Sequence, residues 1–189
     1  MLKADFLKTK FDAAHTYDDY LATGKPAQQE SWTKIYSQIS LTGAQKKLVS
    51  GFSRDMKVLA SSGIWCGDCA QQCPLIVHIA EASPRISLRF VDRDEHADLA
   101  ERIRLNAGAR VPVVVFMAED HEFVCLYGDR TLTRYRAIAQ RQLGAACPLP
   151  GAPVPTEELS ATMQDWLNEF ERVQLMLRLS PRLREKHGD

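Results

Sequence analysis

The order of strand and helix patterns between residues 56 and 143 constrains the fold more than any other feature of the sequence. Short apolar or alternating runs predict four strands, near 56–60, 86–91, 111–116 and 123–127. Helical patterns separate or follow these strands, at 65–81, 94–105 and 131–143. Alternating strand and helix units that end in a hairpin and a closing helix indicate an α/β fold, with a mixed central sheet flanked by helices.

Both ends of the chain extend beyond this core, which we place at residues 54–146. Residues 1–53 show helical spacing without a convincing strand and predict an all-helical N-terminal extension. Residues 147–189 begin with four prolines in the nine residues 147–155, which predicts a stiff, extended linker. The helical pattern that starts at Thr156 carries a long apolar stripe, so we expect that helix to pack on the core or on the N-terminal helices.

The charge balance excludes partners that are recognised mainly by electrostatics. The 189 residues include 24 basic and 24 acidic side chains, so no net charge attracts nucleic acid or an anionic membrane. The sequence has no apolar run of about 18 residues, and its first residues include Asp5 where a signal peptide is apolar. We therefore expect a cytoplasmic protein without nucleic-acid or membrane partners.

Three of the five cysteines lie within eight residues, where the first strand pattern gives way to a helix pattern. At the start of a helix, free backbone N–H groups and the helix dipole stabilise a thiolate on Cys66. Cys69 follows on the adjacent turn, where its sulfur can attack a mixed disulfide held on Cys66. We expect Cys66 to be partly exposed and Cys69 to be more buried.

The segment from Trp65 to Cys69, Trp-Cys-Gly-Asp-Cys, resembles the Trp-Cys-Gly-Pro-Cys signature of the thioredoxin family. The resemblance extends over about 55–143. Three further features match the family: a helix proline after the second cysteine, the family's cis-proline, and a glycine after the last strand. They fall here at Pro74, at Val111-Pro112 and at Tyr127-Gly128. The resemblance implies a thioredoxin-like fold with a cis Val111–Pro112 bond.

The same resemblance implies a redox-active thiol–disulfide oxidoreductase. Cys66 would attack a protein or small-molecule disulfide, and Cys69 would resolve the mixed disulfide. An external reductant or reductase would recycle the dithiol, and neither a metal nor a bound organic cofactor is implied. The residues that would shape the substrate-binding surface are Trp65, Gly67, Asp68, Val111 and Pro112.

Two departures from the family bear on the chemistry. Asp68 replaces the family's proline between the cysteines, and its charge is expected to raise the pKa of a neighbouring Cys66 at a partly exposed site. Family members also resemble one another in a buried carboxylate six residues before the nucleophile and a lysine on the neighbouring strand. Those positions are Ala60 and Phe90 here. The group thought to help deprotonate the second cysteine is therefore missing.

Other interpretations stay open. Cys73 is either a small residue facing the core or a third thiol, and Cys66, Cys69 and Cys73 followed by proline resemble part of an iron–sulfur motif. That metal or iron–sulfur alternative requires a fourth ligand, such as His78, Cys125 or a second subunit. A thioredoxin-fold binding module without catalysis is the other alternative.

We expect structural roles for Cys125 and Cys147. A solvated helix face is expected for four arginines, Arg130, Arg134, Arg136 and Arg141.

Overall fold

The structure, a computed structural model, describes residues 2–143 and 157–189. Four helices come first: α1 (Ala4–Asp12), α2 (Tyr17–Ala22), α3 (Pro26–Gln38) and α4 (Gly43–Ser50). The central part contains β1 (Met56–Ser62), α5 (Gly67–Glu81), β2 (Ile86–Asp92), α6 (Ala97–Ala100), β3 (Val113–Ala118), β4 (Phe123–Gly128) and α7 (Leu132–Leu143). The helices α8 (Glu158–Leu179) and α9 (Pro181–His187) complete the described chain.

The four strands form one mixed sheet in the order β2-β1-β3-β4. Strand β1 pairs in parallel with β2 and antiparallel with β3, and β3 pairs antiparallel with β4. Every residue of β3 is buried, as its unbroken apolar run predicts. The predicted α/β fold with helices on both sides of a mixed sheet is confirmed.

The two faces of the sheet carry separate apolar clusters. The larger cluster lies between the sheet and helices that include α3, α5 and α8, and its largest buried side chains include Trp32, Trp166 and Phe170. The smaller cluster packs α1 on the opposite face through Leu7 and Phe11. The apolar stripe of α8 is therefore buried on the core, as expected from its helical spacing.

The N-terminal helices also contribute one backbone pairing to the sheet. The N–H of His15 donates to the carbonyl of Phe90, and the N–H of Phe90 donates back, each at 2.9 Å. Strand β2 is the outer strand on this side, and its free backbone groups need partners. The pairing is an isolated bridge and was not predicted from the sequence.

One part of the predicted secondary structure was wrong. The helix expected over 94–105 is limited to α6, because the Asp92 carboxylate accepts the N–H of Asp94 at 2.8 Å and forms a turn instead. The basic C-terminal segment forms α9, whose residues are exposed apart from Leu183. Its Arg182 and His187 pair with Asp120 and Glu119 of the turn between β3 and β4. The predicted linker at 147–155 lies outside the described residues.

Within residues 2–143 and 157–189, no helix combines the length and the apolar character needed to cross a membrane.

Candidate functional site

Cys66 is the residue immediately before the first turn of α5, and the loop from β1 delivers it there. Its backbone is extended, with φ −85° and ψ 124°, and its N–H donates to the carbonyl of Gly63 at 2.9 Å. The thiol is partly exposed and donates a long hydrogen bond, 3.9 Å, to the carbonyl oxygen of Val111. The peptide bond between Val111 and Pro112 is cis. The fold thus brings the first cysteine beside the Val111-Pro112 segment, which lies 45 residues further along the chain.

Cys69 lies in the first turn of α5 and is fully buried. Its thiol is within hydrogen-bonding reach of Cys66 on the outer side, and of Cys73 and Ser62 on the inner side. The predicted difference in burial between the two cysteines is confirmed. Of these two thiols, only Cys66 is open to a reagent from solvent.

The ionisation of the two thiols is coupled. The hydrogen bond with Cys69 and burial raise the pKa of Cys66, while the backbone N–H groups of Cys69 and Asp68 act to lower it. Burial raises the pKa of Cys69 well above its usual value. The backbone N–H groups at the start of the helix therefore act to lower the pKa of Cys66, as expected. The opposing effects of the neighbouring sulfur and of burial are larger, so the pKa is raised.

Trp65 is the large apolar side chain exposed next to the dithiol, with half of its surface accessible. The guanidinium of Arg93 lies 4.8 Å from the centre of its ring, a cation–π arrangement. The indole also covers Gly63 so closely that a Cβ at that position would lie 2.8 Å from the ring. Trp65 is therefore held in place although it is exposed. Gly67, which begins α5, has open space around the position of a Cβ.

The environment of Asp68 differs from the expectation. Its carboxylate accepts hydrogen bonds from Arg130 Nε and Arg134 Nη2, each at 2.9 Å, and only 16% of its side chain is exposed. Arg134 also pairs with Glu158 of α8. Burial opposes ionisation, but the two arginines hold the pKa of Asp68 below its usual value. The negative charge of Asp68 is thus paired with the positive charges of two arginines.

The prediction that the arginines near α7 form a solvated face was wrong for Arg130 and Arg134. Helical spacing shows that residues share a face, but it does not show what packs against that face. Here the side chain of Arg134 lies between α5 and α8, where carboxylates from both helices bind it.

Gln72 holds together the elements around Asp68, a role that the sequence analysis missed. It is fully buried, and its amide nitrogen donates to the carbonyl of Asp129 at 3.0 Å. Its amide oxygen accepts from Thr131 N–H at 3.3 Å and from the indole of Trp166 at 3.2 Å. The sequence gives little signal, because Gln72 directly follows Gln71 in a helical stretch that also contains Asp68 and His78. A buried amide with these partners joins α5 to α8 and to the loop before α7.

Gly128 supports the Pro112 segment from the end of β4. Its φ of +148° is a conformation that favours glycine, and a Cβ there would lie 2.3 Å from the carbonyl oxygen of Pro112. A side chain at this position is therefore excluded by the close approach of the two backbones.

The interior behind the dithiol contains no carboxylate at the two positions where the family resemblance places a charged pair. Ala60 and Phe90 are aligned across β1 and β2 and are both fully buried. Cys73 is also fully buried, and its sulfur lies 3.7 Å from the hydroxyl oxygen of Ser62. The side chains closest to Cys69 on the inner side are thus hydroxyl and thiol groups.

Cys125 lies apart from this group. The Cys125 thiol, on β4, donates to the Glu169 carboxylate and accepts from Arg172. Burial raises the pKa of Cys125 to about 11. Cys147 lies outside the described residues. Among the residues that the structure describes, no three histidine, cysteine or carboxylate side chains are placed to hold a metal ion.

Comparison with known proteins places these observations in context. A family model described as thioredoxin matches residues 14–139, a longer segment than the 55–143 that resembles the family by motif. Comparison with curated protein sequences finds no significant match.

Two of the solved structures that match cover most of the chain. A Pseudomonas aeruginosa protein of unknown function is 17% identical, with a TM-score of 0.69 over 91% of this chain and 99% of that one. An HIV epitope-scaffold is 17% identical, with a TM-score of 0.59 over 87% and 90%. Mitochondrial thioredoxin 3 from Saccharomyces cerevisiae is 23% identical, with a TM-score of 0.34 over 50% and 86%. The first two similarities concern the fold, including its additional helices.

Proposed function

The chain belongs to the thioredoxin family, and on that premise we propose that it is a thiol–disulfide oxidoreductase. The observation that carries the proposal is the arrangement of the two thiols. Cys66 is partly exposed before the first turn of α5, and Cys69 is buried directly behind it. A nucleophile open to solvent with a second thiol in reach behind it is what a two-step disulfide exchange needs.

The reaction begins at Cys66. Its thiolate attacks one sulfur of a substrate disulfide, a bond forms between Cys66 and that sulfur, and the other substrate sulfur leaves as a thiolate that takes up a proton. The backbone N–H groups of Asp68 and Cys69 favour the charged form of Cys66 at this step. The raised pKa of the thiol limits how much of it is ionised at neutral pH.

Cys69 completes the exchange. Its thiolate attacks Cys66 Sγ, the bond between Cys66 and the substrate breaks, and the second substrate sulfur leaves. The substrate is then a dithiol, and the protein carries a Cys66–Cys69 disulfide. A reductant of the dithiol class, or a reductase, must supply two electrons and two protons to restore the starting state.

The surface around Cys66 favours an extended peptide as the substrate segment. The contact between the Val111 carbonyl and the Cys66 thiol supports a role for the Val111 backbone in pairing with a strand that carries the target disulfide. The exposed ring of Trp65, the residue before Cys66, offers an apolar contact. Gly67 leaves room for a substrate next to the nucleophile.

The two alternatives from the sequence are less well supported. Metal or iron–sulfur binding through Cys66, Cys69 and Cys73 receives no support, since these cysteines form no metal-holding group within the described residues. A binding module without catalysis predicts intact thiols that do not exchange.

A trapping experiment distinguishes exchange from binding. The Cys69→Ser variant, incubated with insulin whose disulfides are intact, should form a mixed disulfide at Cys66 that dithiothreitol reverses. Cys66→Ser is the matched control and should form none. A binding module would give no covalent adduct with either variant.

A further inference from the structure

Tyr20 brings a hydroxyl group from the N-terminal helices into the interior behind the dithiol. It lies on α2, is 1% exposed, and its ring stacks on Phe90 with centroids 5.5 Å apart and planes 17° apart. Its hydroxyl oxygen is buried and forms no hydrogen bond of normal geometry with the described residues. The hydroxyl of Ser62 lies close to it. An unpaired buried hydroxyl is costly, so a role for it is expected.

Ser62 connects Tyr20 to the cysteines. It is the last residue of β1 and is fully buried. Its oxygen lies 3.7 Å from Cys73 Sγ, and it is also within hydrogen-bonding reach of Cys69. A serine hydroxyl has one proton to donate and two lone pairs to accept with. It can therefore accept from Tyr20 while it donates to a sulfur.

We propose that Ser62 and Tyr20 are positioning residues for the resolving cysteine: the Tyr20 hydroxyl donates to Ser62 Oγ, and the Ser62 hydroxyl donates to the Cys69 thiolate. The buried sulfur needs such a donor, because an unsolvated thiolate is strongly disfavoured. The chain provides no carboxylate at Ala60 and no lysine at Phe90 to assist it. Tyr20 stacks directly on Phe90, one of the two positions at which the family's charged pair is replaced by apolar residues. Helix α2 therefore supplies a polar group next to that position.

The chemistry of the two hydroxyl groups suits donation rather than proton acceptance. Burial raises the pKa of Tyr20, so its hydroxyl keeps its proton throughout the pH range in which thiols react. Cys73 is the partner of Ser62 in the resting dithiol, and the Ser62 hydroxyl turns to Cys69 when that sulfur becomes charged. The other ionisable groups near Tyr20 and Cys69 are His15, Cys66, Cys73 and Asp92.

The inference deepens the proposed function and rests on it. In the step concerned, Cys69 first loses its proton to solvent. Its thiolate then forms a bond to Cys66 Sγ, and the leaving group departs from Cys66 with the electron pair of the broken bond. Ser62 and Tyr20 stay protonated and unchanged in oxidation state.

The test uses 5,5′-dithiobis(2-nitrobenzoate), which converts Cys66 to a mixed disulfide and releases one coloured thiolate. Attack by Cys69 then releases a second coloured thiolate from the same site. Cys125 and Cys147 are replaced by serine in every variant, so that the two phases report on Cys66 and Cys69. The second phase is followed from pH 6 to pH 10 in the parent, in Ser62→Ala, in Tyr20→Phe and in the double variant.

We expect Ser62→Ala to slow the second phase by about tenfold and Tyr20→Phe by about threefold, as the loss of a hydrogen bond to a charged group implies. Both variants should shift the pH midpoint of this phase upward and leave the first phase unchanged. The double variant should be no slower than Ser62→Ala, because Tyr20 acts through Ser62. Ser62→Thr, which keeps the hydroxyl, should restore the parent rate.

Tyr36→Phe is the matched control, since the Tyr36 hydroxyl bonds Glu81 rather than Ser62. A second phase in Tyr20→Phe with the rate and pH midpoint of Tyr36→Phe would overturn the inference, as would additive effects in the double variant. Release of only one thiolate by the parent would instead contradict the proposed function.

Discussion

Arg134 Nη2 lies 2.9 Å from Asp68 Oδ1, so a side chain of α7 binds the residue that separates the two cysteines. Arg130 binds the other oxygen of the same carboxylate, and Arg134 continues to Glu158 of α8. The dithiol turn of α5 is therefore joined by ion pairs to two helices that follow it in the chain. This network changes what a substitution at Asp68 is expected to do.

Asp68→Asn keeps the shape of the side chain and removes its charge. The two arginines then lack their common partner, and their positive field should lower the pKa of Cys66 by about one unit or less. A more stable thiolate favours the reduced form, so the dithiol should become less reducing. The dependence of the Cys66 alkylation rate on pH measures the shift.

Asp94→Asn is the control. It removes an exposed carboxylate that is paired with Arg93, and it should leave the pKa of Cys66 unchanged. An unchanged or higher Cys66 pKa in Asp68→Asn would reject this electrostatic interpretation.

The pKa of Asp68 also predicts how stability depends on pH. Burial acts to raise this pKa, but hydrogen bonds from Arg130 and Arg134 lower it below the value in the unfolded chain. The ionised carboxylate therefore contributes stability above about pH 4, and this contribution is lost as the pH falls through the folded-state pKa. Near neutral pH, Asp68→Asn should lower the free energy of unfolding by about 1–2 kcal/mol. Urea denaturation at several pH values should show the difference shrinking below about pH 4. A difference that is the same at pH 3 and pH 7 would contradict this prediction.

Alkylation by iodoacetamide tests the environments of the cysteines. Cys66 should react well before Cys69 and Cys73, because it is the only one of the three that is not buried. Since the hydrogen bond with Cys69 and burial raise the pKa of Cys66, its rate should keep rising with pH above 9, where an ordinary thiol is mostly ionised. Cys69→Ala removes the neighbouring sulfur and should move this rise to lower pH. Equal labelling of Cys66 and Cys69, or a rate that is constant above pH 8, is incompatible with the arrangement described.

Gly128→Ala tests the contact that supports Pro112. The added Cβ would lie 2.3 Å from the Pro112 carbonyl oxygen at a φ of +148°, so the free energy of unfolding should fall by more than about 2 kcal/mol. Gly43→Ala is the control, because a Cβ at that position in α4 meets nothing within 4 Å. Urea denaturation should show no loss of stability in the control. Equal stability of the two variants would show that the strand end rearranges without cost.

Much of the fold was predictable because the relevant signals are local. The apolar run of β3 and the cysteine pair at the start of α5 each depend on neighbours in the sequence, and both were predicted correctly. The short α6 was not, because the turn at Asp92 competes with the helix for backbone hydrogen bonds.

Tertiary contacts account for what the sequence did not reveal about the site. Arg134 and Tyr20 both lie on helices whose spacing predicts a face, but only the packing of the helices shows which element that face meets. The charge of Arg134 meets Asp68 of α5, and the ring of Tyr20 meets Phe90 of β2. Both contacts cross more than 60 residues of sequence. Gln72 is a similar case, since its four polar contacts involve three separate parts of the chain.

The rate at which the chain reduces insulin disulfides in the presence of dithiothreitol tests the central claim most directly. The wild-type chain should accelerate the precipitation of the insulin B chain over dithiothreitol alone, and Cys66→Ser should abolish the acceleration. Cys125→Ser should retain it, because that thiol lies on β4 and is bound to Glu169 and Arg172. A wild-type rate equal to that of dithiothreitol alone, or an equal acceleration by Cys66→Ser, would contradict the assignment of a disulfide reductase centred on Cys66.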